Sequence, residues 1–156
     1  EVNYTAVKLS VDTVNKSTAG RHGTSIERTL NDNFAYDANQ PTAKTPNTHS
    51  TPKGFIADHR TDVKLCFKLD KALALTATSS FAVDLYGRKG NKGSKCTINL
   101  YSGDTVIATS KIDFSEYKRA SFSKLTASVD RIEINSDDSK NFTLAEIRAA
   151  VATAAP

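Results

Sequence analysis

The densest charge in the sequence is a short basic stretch that lies between two apolar segments. Its cations are Arg88, Lys89, Lys92 and Lys95. A cluster of one charge sign attracts the phosphate, sulfate or carboxylate groups of a partner. Alternatively, such a cluster is a solvated tip that keeps the edge of a sheet from pairing with other chains. The sequence leaves both roles open.

No motif for catalysis or metal binding is evident. The stretch from Gly87 to Gly93 has the glycines and lysines of a phosphate-binding loop, but it lacks the Walker spacing and a following helix. No serine lies in a nucleophile elbow, and His22, His49 and His59 match no metal motif. Paired carboxylates that converge only in space are not visible in a sequence. We predict that the chain is not an enzyme and has no catalytic residues.

Alternating apolar residues predict the strands that position the basic stretch. Residues 81–86 and 95–101 alternate in this way, and the polar, glycine-rich residues between them predict a loop. We interpret the two segments as the central antiparallel pair of a sheet. Further strands are predicted at residues 3–12, 54–58, 63–69, 73–78, 105–114, 117–125, 129–135 and 141–149. Many short strands separated by turns indicate an all-β sandwich or barrel.

A long polar tract, residues 12–53, follows the first predicted strand. Within it Ile26, Leu30 and Phe34 recur every four residues, which predicts a short helical turn. Prolines then keep residues 41–53 extended or turning. Polar tracts of this length are usually functional or disordered. If this one is ordered, a metal ion, the body of the domain or a neighbouring molecule must hold it.

The length of 156 residues is typical of one domain. We assign residues 1–151 to a single domain and residues 152–156 to a terminal tail or the start of a linker. No run approaches the roughly 18 apolar residues of a membrane span, so we expect a soluble chain. The net charge of +4 and the sparse aromatics do not favour nucleic-acid binding. Because the first residue is Glu1, we expect that either a leader or tag has been removed or the chain is cut from a larger protein.

Two cysteines, Cys66 and Cys96, fall in predicted strands. They are either buried free thiols, which pack like small apolar side chains, or partners in a disulfide. A disulfide would imply an oxidising compartment.

Three motifs give the sequence a resemblance to a known family. They are Leu30-Asn31-Asp32-Asn33, Val129-Asp130-Arg131-Ile132-Glu133-Ile134 and Phe142-Thr143-Leu144-Ala145-Glu146-Ile147-Arg148. Together they resemble motifs of the galactose-binding-domain-like group (discoidin or F5/8 type C), which includes many carbohydrate-binding modules. The resemblance implies an antiparallel β-sandwich of the jelly-roll type, with a long polar loop after the first strand. It also implies a non-catalytic recognition function.

The sequence departs from this family in its aromatic residues. Members commonly have a tryptophan soon after the aspartate turn, and this sequence has none. Sugar binding uses flat aromatic faces that pack on the apolar side of a pyranose ring, so tyrosines are the available substitutes. A tyrosine beside cations suits an acidic glycan, although tyrosine is also favoured on ordinary sheet surfaces. The candidate ligand-binding residues are Tyr36, Tyr86, Arg88, Lys89, Lys92 and Tyr101.

The resemblance also implies a structural calcium ion between the aspartate turn and the last strand. Asp32 and Glu146 would supply carboxylates, and Asn33 or Asn31 would lie beside them with backbone carbonyls. Calcium takes several oxygen ligands and tolerates irregular loops. In the alternative interpretation Asp32 caps a turn, and Glu146 pairs with a surface lysine or arginine.

Two functions are compatible with these observations. The first is a carbohydrate-binding or adhesion module, tethered to an enzyme or a surface protein. The second is a structural subunit, such as a virion decoration protein, a tail-associated protein or a filament subunit, in which neighbouring copies order the loop and the terminal segments. We therefore expect a glycan or neighbouring protein subunits as partners, possible homo-oligomers, and a location outside the cell, on its surface or on a virion.

Overall fold

The computed structural model describes residues 2–14, 35–42, 57–58, 64–87, 90–137 and 143–153. These residues form strands and turns without a helix, which confirms the predicted all-β class. The strands are β1 (Thr5–Val7), β2 (Leu9–Val14), β3 (Ala57–Asp58), β4 (Lys64–Ala74), β5 (Ser80–Tyr86), β6 (Ser94–Ser102), β7 (Thr105–Phe114), β8 (Tyr117–Ser123), β9 (Ser128–Ser136), β10 (Thr143–Leu144) and β11 (Glu146–Ala152).

Most of the strands belong to two antiparallel sheets. The four-stranded sheet has the order β1-β11-β5-β8, and the five-stranded sheet has the order β2-β4-β9-β6-β7. The short strands β3 and β10 pair with each other. The predicted antiparallel β-sandwich is therefore confirmed. A membrane-spanning helix, long and apolar enough to cross a bilayer, is not found in the part of the chain that the structure describes.

Each sheet turns one apolar face toward the other. Phe81, Val83 and Leu85 are fully buried on the four-stranded sheet, as are Ile98 and Leu100 on the five-stranded sheet. All five belong to one core cluster that takes side chains from both sheets. Burying one such side chain contributes about 1.5–3 kcal/mol, so this shared core is the main stabilising feature of the fold.

The interpretation of residues 81–86 and 95–101 as a central antiparallel pair is wrong. Strand β5 lies between β11 and β8, whereas β6 lies between β9 and β7 in the other sheet. Alternation shows that a strand has one buried face, but it does not identify the neighbours of that strand. The loop between β5 and β6 crosses from one sheet to the other, so the apolar faces of these strands meet across the core.

Two other predicted strands also differ from the structure. The first predicted strand is divided, because β1 pairs with β11 and β2 pairs with β4 in the other sheet. The predicted strand at residues 73–78 is replaced by the end of β4 and a turn, in which the Ser79 amide donates to the Thr76 carbonyl at 3.0 Å. The predicted helical turn from Ile26 to Phe34 lies outside the described residues.

Both cysteines are buried free thiols. Cys96 is part of the core, whereas Cys66 lies on the opposite face of the same sheet, with its Sγ 3.9 Å from Oε2 of Glu133. No disulfide joins them, because their side chains lie on opposite faces. Burial, together with the nearby charges of Asp137 and Asp113, raises the pKa of the Cys96 thiol to about 12.

We expect neither thiol to react with a thiol-specific dye in the folded protein at pH 8, since the thiolate is the reactive form and both sulfurs are buried. After unfolding without reductant, two thiols per chain should titrate. The control is a sample that is unfolded with reductant, from which the reductant is removed before the thiols are titrated. Fewer than two thiols in the sample without reductant would contradict the free-thiol state.

Candidate functional site

A buried carboxylate organises the outer face of the four-stranded sheet. Asp84 of β5 is fully buried and lies opposite Arg119 of β8. The Arg119 Nε donates to Asp84 Oδ1, and the Arg119 Nη2 donates to Asp84 Oδ2, both at 2.8 Å. The hydroxyls of Tyr117 and Tyr36 donate to the same carboxylate. Four donated hydrogen bonds compensate this carboxylate for the loss of water.

We call Asp84 and the side chains of Arg119, Tyr117, Tyr36 and Tyr86 around it the Asp84 cluster. Residues 35–42 of the polar tract cover this cluster, and we call them the strap. The Arg119 Nη2 donates to the carbonyl of Ala38, which is buried, at 2.7 Å. The Tyr86 hydroxyl donates to the Pro41 carbonyl. The strap is therefore anchored to side chains of β5 and β8.

A second set of contacts joins the strap to the start of the chain. The Asn39 side chain accepts a hydrogen bond from the Tyr4 amide at 2.7 Å and donates to the Tyr4 carbonyl at 3.0 Å. The Arg119 guanidinium stacks over the Tyr4 ring at 4.4 Å. Of the three ways in which the polar tract could be held, the structure shows the body of the domain holding residues 35–42.

The environment of the cluster keeps its tyrosine hydroxyls protonated. Burial, and then the charge of Asp84, raises the pKa of Tyr36 and Tyr86 above the usual value. Burial and the hydrogen bond to Asp84 raise the pKa of Tyr117. The hydrogen bond to Asp84 also raises the pKa of Arg119, although burial opposes it. The hydroxyls therefore act as fixed hydrogen-bond donors at neutral pH, which suits an anchor for the strap.

A groove lies where the β5–β6 loop meets the β7–β8 turn. One cavity of about 430 Å³ is lined by Lys92, Gly93, Ser94, Lys95, Asp113, Phe114 and Ser115. A second cavity of about 460 Å³ is lined by Lys95, Lys111, Ile112, Asp113 and Asp137. The two share Lys95 and Asp113, so we treat them as one surface feature and call it the lysine groove. Each cavity has the size of a small-ligand site.

Hydrogen bonds hold the β5–β6 loop against the β7–β8 turn. The Asn91 Nδ2 donates to the Ser115 carbonyl at 2.8 Å, and the Gly90 amide donates to Glu116 Oε2 at 3.3 Å. Gly87 lies so close to the turn that an added Cβ would be 2.0 Å from the Ser115 carbonyl oxygen, which excludes any other residue without a shift of the backbone. These contacts fix one wall of the lysine groove.

Cations and carboxylates alternate along the lysine groove. Lys95 and Asp113 are directly opposite each other on β6 and β7. Two residues further along the same face, Thr97 is opposite Lys111. The Thr97 hydroxyl donates to Asp137 Oδ2 at 2.7 Å. Directly opposite residues of an antiparallel pair have their Cβ atoms about 4.5–5.5 Å apart, so donors and acceptors lie side by side on this surface.

The structure distributes the predicted ligand-binding residues over separate places. Tyr36 and Tyr86 belong to the Asp84 cluster, where Tyr86 is fully buried. Lys92 lines the lysine groove, and Tyr101 lies on the outer face of the five-stranded sheet. Arg88 and Lys89 lie outside the described residues. A ligand contact by any of these six residues stays a prediction.

Sequence reasoning missed three lining residues of the groove, Lys111, Asp113 and Asp137. The tight turn at residues 102–105 predicts the hairpin between β6 and β7, but it does not predict these neighbours. A register shift between Leu100 and Tyr101 moves the pairing by one residue, so Lys95 lies opposite Asp113 where the register of the turn alone would place Ile112. Asp137 follows a strand that is distant in sequence, so no local pattern places it in the groove.

The proposed calcium ligands are only partly described. Glu146 is fully buried, and its Oε1 is 3.6 Å from the Nε of Arg148. Asp32 and Asn33 lie outside the described residues. Within the described ranges, no group of three histidine, cysteine, aspartate or glutamate side chains could hold a metal ion. The part of the site that is described shows an ion pair, which fits the alternative interpretation of Glu146, and the calcium ion stays a prediction.

Comparison with known proteins yields matches in structure only. No protein-family model and no curated protein matches the sequence. The chain is similar to truncated AlyQ with CBM32 and alginate lyase domains, with a TM-score of 0.55 and 16% identity over 99% of this chain and 35% of that chain. This chain thus spans about a third of the length of AlyQ.

Two further solved structures match nearly from end to end. The lectin domain of lectinolysin complexed with Lewis B antigen has a TM-score of 0.57 and 13% identity over 88% of this chain and 91% of that one. GH31 CBM32-2 bound to GalNAc has a TM-score of 0.50 and 14% identity over 96% and 97% of the two chains. These matches confirm the antiparallel β-sandwich fold that the sequence predicts.

We expect the substitution Asp84→Asn to lower the free energy of unfolding by about 3 kcal/mol, because it leaves the largely buried side chain of Arg119 without a carboxylate. Urea denaturation measures the change. The matched control is Asp104→Asn, on an exposed aspartate in the β6–β7 turn, which should stay within about 0.5 kcal/mol of the wild type. Equal stabilities for the two variants would contradict the anchoring role of Asp84.

Proposed function

We propose that this chain is a non-catalytic carbohydrate-binding module and that its glycan binds in the lysine groove. The observation that carries the proposal is the alternation of ammonium and carboxylate groups around a ligand-sized groove. The fold supports it, since similar domains include a lectin domain complexed with Lewis B antigen and a module bound to GalNAc.

The chemistry of the groove suits sugar hydroxyls. A hydroxyl both donates and accepts hydrogen bonds, so two neighbouring sugar hydroxyls are best met by a donor and an acceptor side by side. The ammonium of Lys95 donates, and the carboxylate of Asp113, directly opposite, accepts. Lys92 and Lys111 extend the set of donors on either side. The lining combines three lysines with two aspartates, so it can meet both the accepting and the donating function of sugar hydroxyls.

The same proposal extends to the location of the module and to the protein that carries it. We propose that it works outside the cell, tethered to an enzyme or a surface protein. The structure of AlyQ supports tethering by analogy, since that chain combines a CBM32 domain with an alginate lyase domain. In this setting the module would bring its tethered partner to the glycan and take no part in chemistry itself.

We expect the wild-type chain to bind a defined subset of glycans on an array and Lys95→Ala to lower the affinity for them about tenfold or more. A hydrogen bond from a charged donor contributes about 1.5–3 kcal/mol, and about 1.4 kcal/mol is tenfold in affinity. Isothermal titration with the best array ligand measures the change.

The matched control is Lys118→Ala, which removes an exposed lysine from β8 on the other sheet and should bind like the wild type. A folded wild-type chain that binds no glycan would refute the function. Equal affinities for Lys95→Ala and wild type would refute the lysine groove as its site.

We also propose that calcium stabilises the domain and that Asp32, Asn33 and Glu146 would hold it. The buried position of the Glu146 carboxylate is compatible with this, since calcium prefers oxygen ligands. Saturating calcium should raise the melting temperature relative to chelator, because a ligand at about 100 times its Kd contributes about 2.7 kcal/mol. The variant Glu146→Gln should lose this difference. Identical melting temperatures of the wild type with calcium and with chelator would refute the site.

A further inference from the structure

The outer face of the five-stranded sheet carries a continuous row of polar side chains that begins at the lysine groove. On β6 the row consists of Thr97, Asn99 and Tyr101. Their directly opposite neighbours on β9 are Asn135, Glu133 and Arg131. We call these six residues the polar ladder. Five of the six side chains are partly exposed, and Glu133 is buried at the centre.

Glu133 holds the polar ladder in place. Its Oε1 accepts hydrogen bonds from Asn135 Nδ2 at 2.8 Å and from Asn99 Nδ2 at 3.1 Å, and its Oε2 accepts from the Tyr101 hydroxyl at 3.3 Å. Burial raises the pKa of Glu133, but the hydrogen bonds from Asn135 and Asn99 and the charge of Lys64 outweigh it, so the pKa lies below the usual value. The carboxylate is thus ionised at neutral pH and orients its neighbours.

The far end of the ladder is aromatic. The Arg131 guanidinium lies over the Tyr101 ring at 4.3 Å, and Arg131 Nη1 is 3.9 Å from Oδ2 of Asp12. Because the hydroxyl of Tyr101 is tied to Glu133 and one face of its ring contacts Arg131, the ring has a defined position. A fixed aromatic side chain at the end of a polar row is a preorganised contact, since little side-chain entropy remains to be lost on binding.

The ladder and the lysine groove are parts of one surface. Thr97 at the start of the ladder donates to Asp137 of the groove, and Lys95 precedes Thr97 by two residues on the same face of β6. From Lys95 to Tyr101 the strand rises about 20 Å, at about 3.3 Å per residue. This length is several times the width of one pyranose ring.

The charge of the ladder indicates what kind of ligand it matches. Arg131 and Glu133 balance each other, and the other four members are uncharged. The ladder itself therefore offers amide and hydroxyl groups, one guanidinium and one aromatic ring without a net charge, and Lys64 and Lys68 of β4 lie beside it, opposite Asn135 and Arg131. The neighbouring donors and acceptors of the ladder match the hydroxyl groups along a glycan chain.

We propose that the polar ladder extends the lysine groove into an elongated site, so that the ligand is a linear oligosaccharide bound along β6 and β9 and not a single terminal sugar. This inference rests on the proposed function. In this site the lysine groove binds one end of the oligosaccharide, and Tyr101 contacts a sugar residue several units away.

The experiment uses the full chain and an array of linear glucans, galactans, mannans and polyuronates, each displayed as one to six residues. For every glycan that binds, we expect affinity to rise with length until the chain reaches Tyr101. Tyr101→Ala should reduce binding of the longest members about fivefold to tenfold and leave the shortest binding members unchanged, since an aromatic contact is worth about 1 kcal/mol. Lys95→Ala should reduce all lengths alike.

Two further variants test the roles within the ladder. Tyr101→Phe keeps the ring and removes only the hydroxyl bonded to Glu133, so it should retain most of the length dependence. Lys118→Ala, outside both surfaces, serves as the control, and thermal melts confirm that each variant is folded.

The outcomes separate this inference from the function on which it rests. Binding that does not depend on glycan length, with Tyr101→Ala equal to the wild type, would overturn the elongated site and leave the lysine groove as a site for a terminal sugar. The absence of binding to any glycan would overturn the function and the elongated site together.

Discussion

The outer face of the four-stranded sheet depends on the buried ion pair between Asp84 and Arg119. A charged pair out of water is stable only when its geometry is good and its remaining hydrogen-bonding capacity is used. Here the strap supplies part of that capacity, through the Tyr36 hydroxyl and the Ala38 carbonyl, while it also excludes water. The pair therefore holds the strap, and the strap keeps the pair buried.

This dependence reaches the lysine groove through β5. Tyr86, the last residue of β5, donates to Pro41 of the strap, and the next residue, Gly87, donates its amide to the Glu116 carbonyl of the β7–β8 turn. The loop that forms one wall of the groove therefore begins at two residues that are hydrogen-bonded to the strap and to the β7–β8 turn. These contacts fix the backbone of the loop at this wall, whereas the lysine side chains of the groove are exposed.

The two outer faces of the sandwich have contrasting designs. On the four-stranded sheet a buried carboxylate anchors a covering segment, and the tyrosines around it are taken up in packing. On the five-stranded sheet Glu133 organises side chains that stay partly exposed. The same kind of interaction, a carboxylate surrounded by donors, therefore anchors a covering segment on one face and orders partly exposed side chains on the other. A fold of this kind does not by itself determine the ligand, because recognition depends on the residues placed on its surface.

Much of the architecture follows from the sequence alone. Alternation in residues 81–86 and 95–101 determines that each strand has one apolar face, because side chains of a strand point alternately to its two sides. It does not show that residues 81–86 are buried on both faces. The turn residues between strands, together with the closing motifs around residues 129–134 and 142–148, were enough to predict an antiparallel β-sandwich. They could not show that β5 and β6 belong to different sheets, because pairing depends on which faces meet across the core.

The candidate site was less accessible to sequence reasoning. Lys92 was correctly placed in a basic loop, but the lysine groove also needs Asp113 and Asp137, which are distant along the chain. Tyr86 was predicted as a ligand-binding residue, but its side chain is fully buried, with its hydroxyl bonded to the strap and its ring beside that of Tyr117. Local patterns determine which side of a strand a residue faces. The tertiary structure decides whether that side meets water, a covering segment or another charged group, because these contacts join residues that no sequence spacing relates.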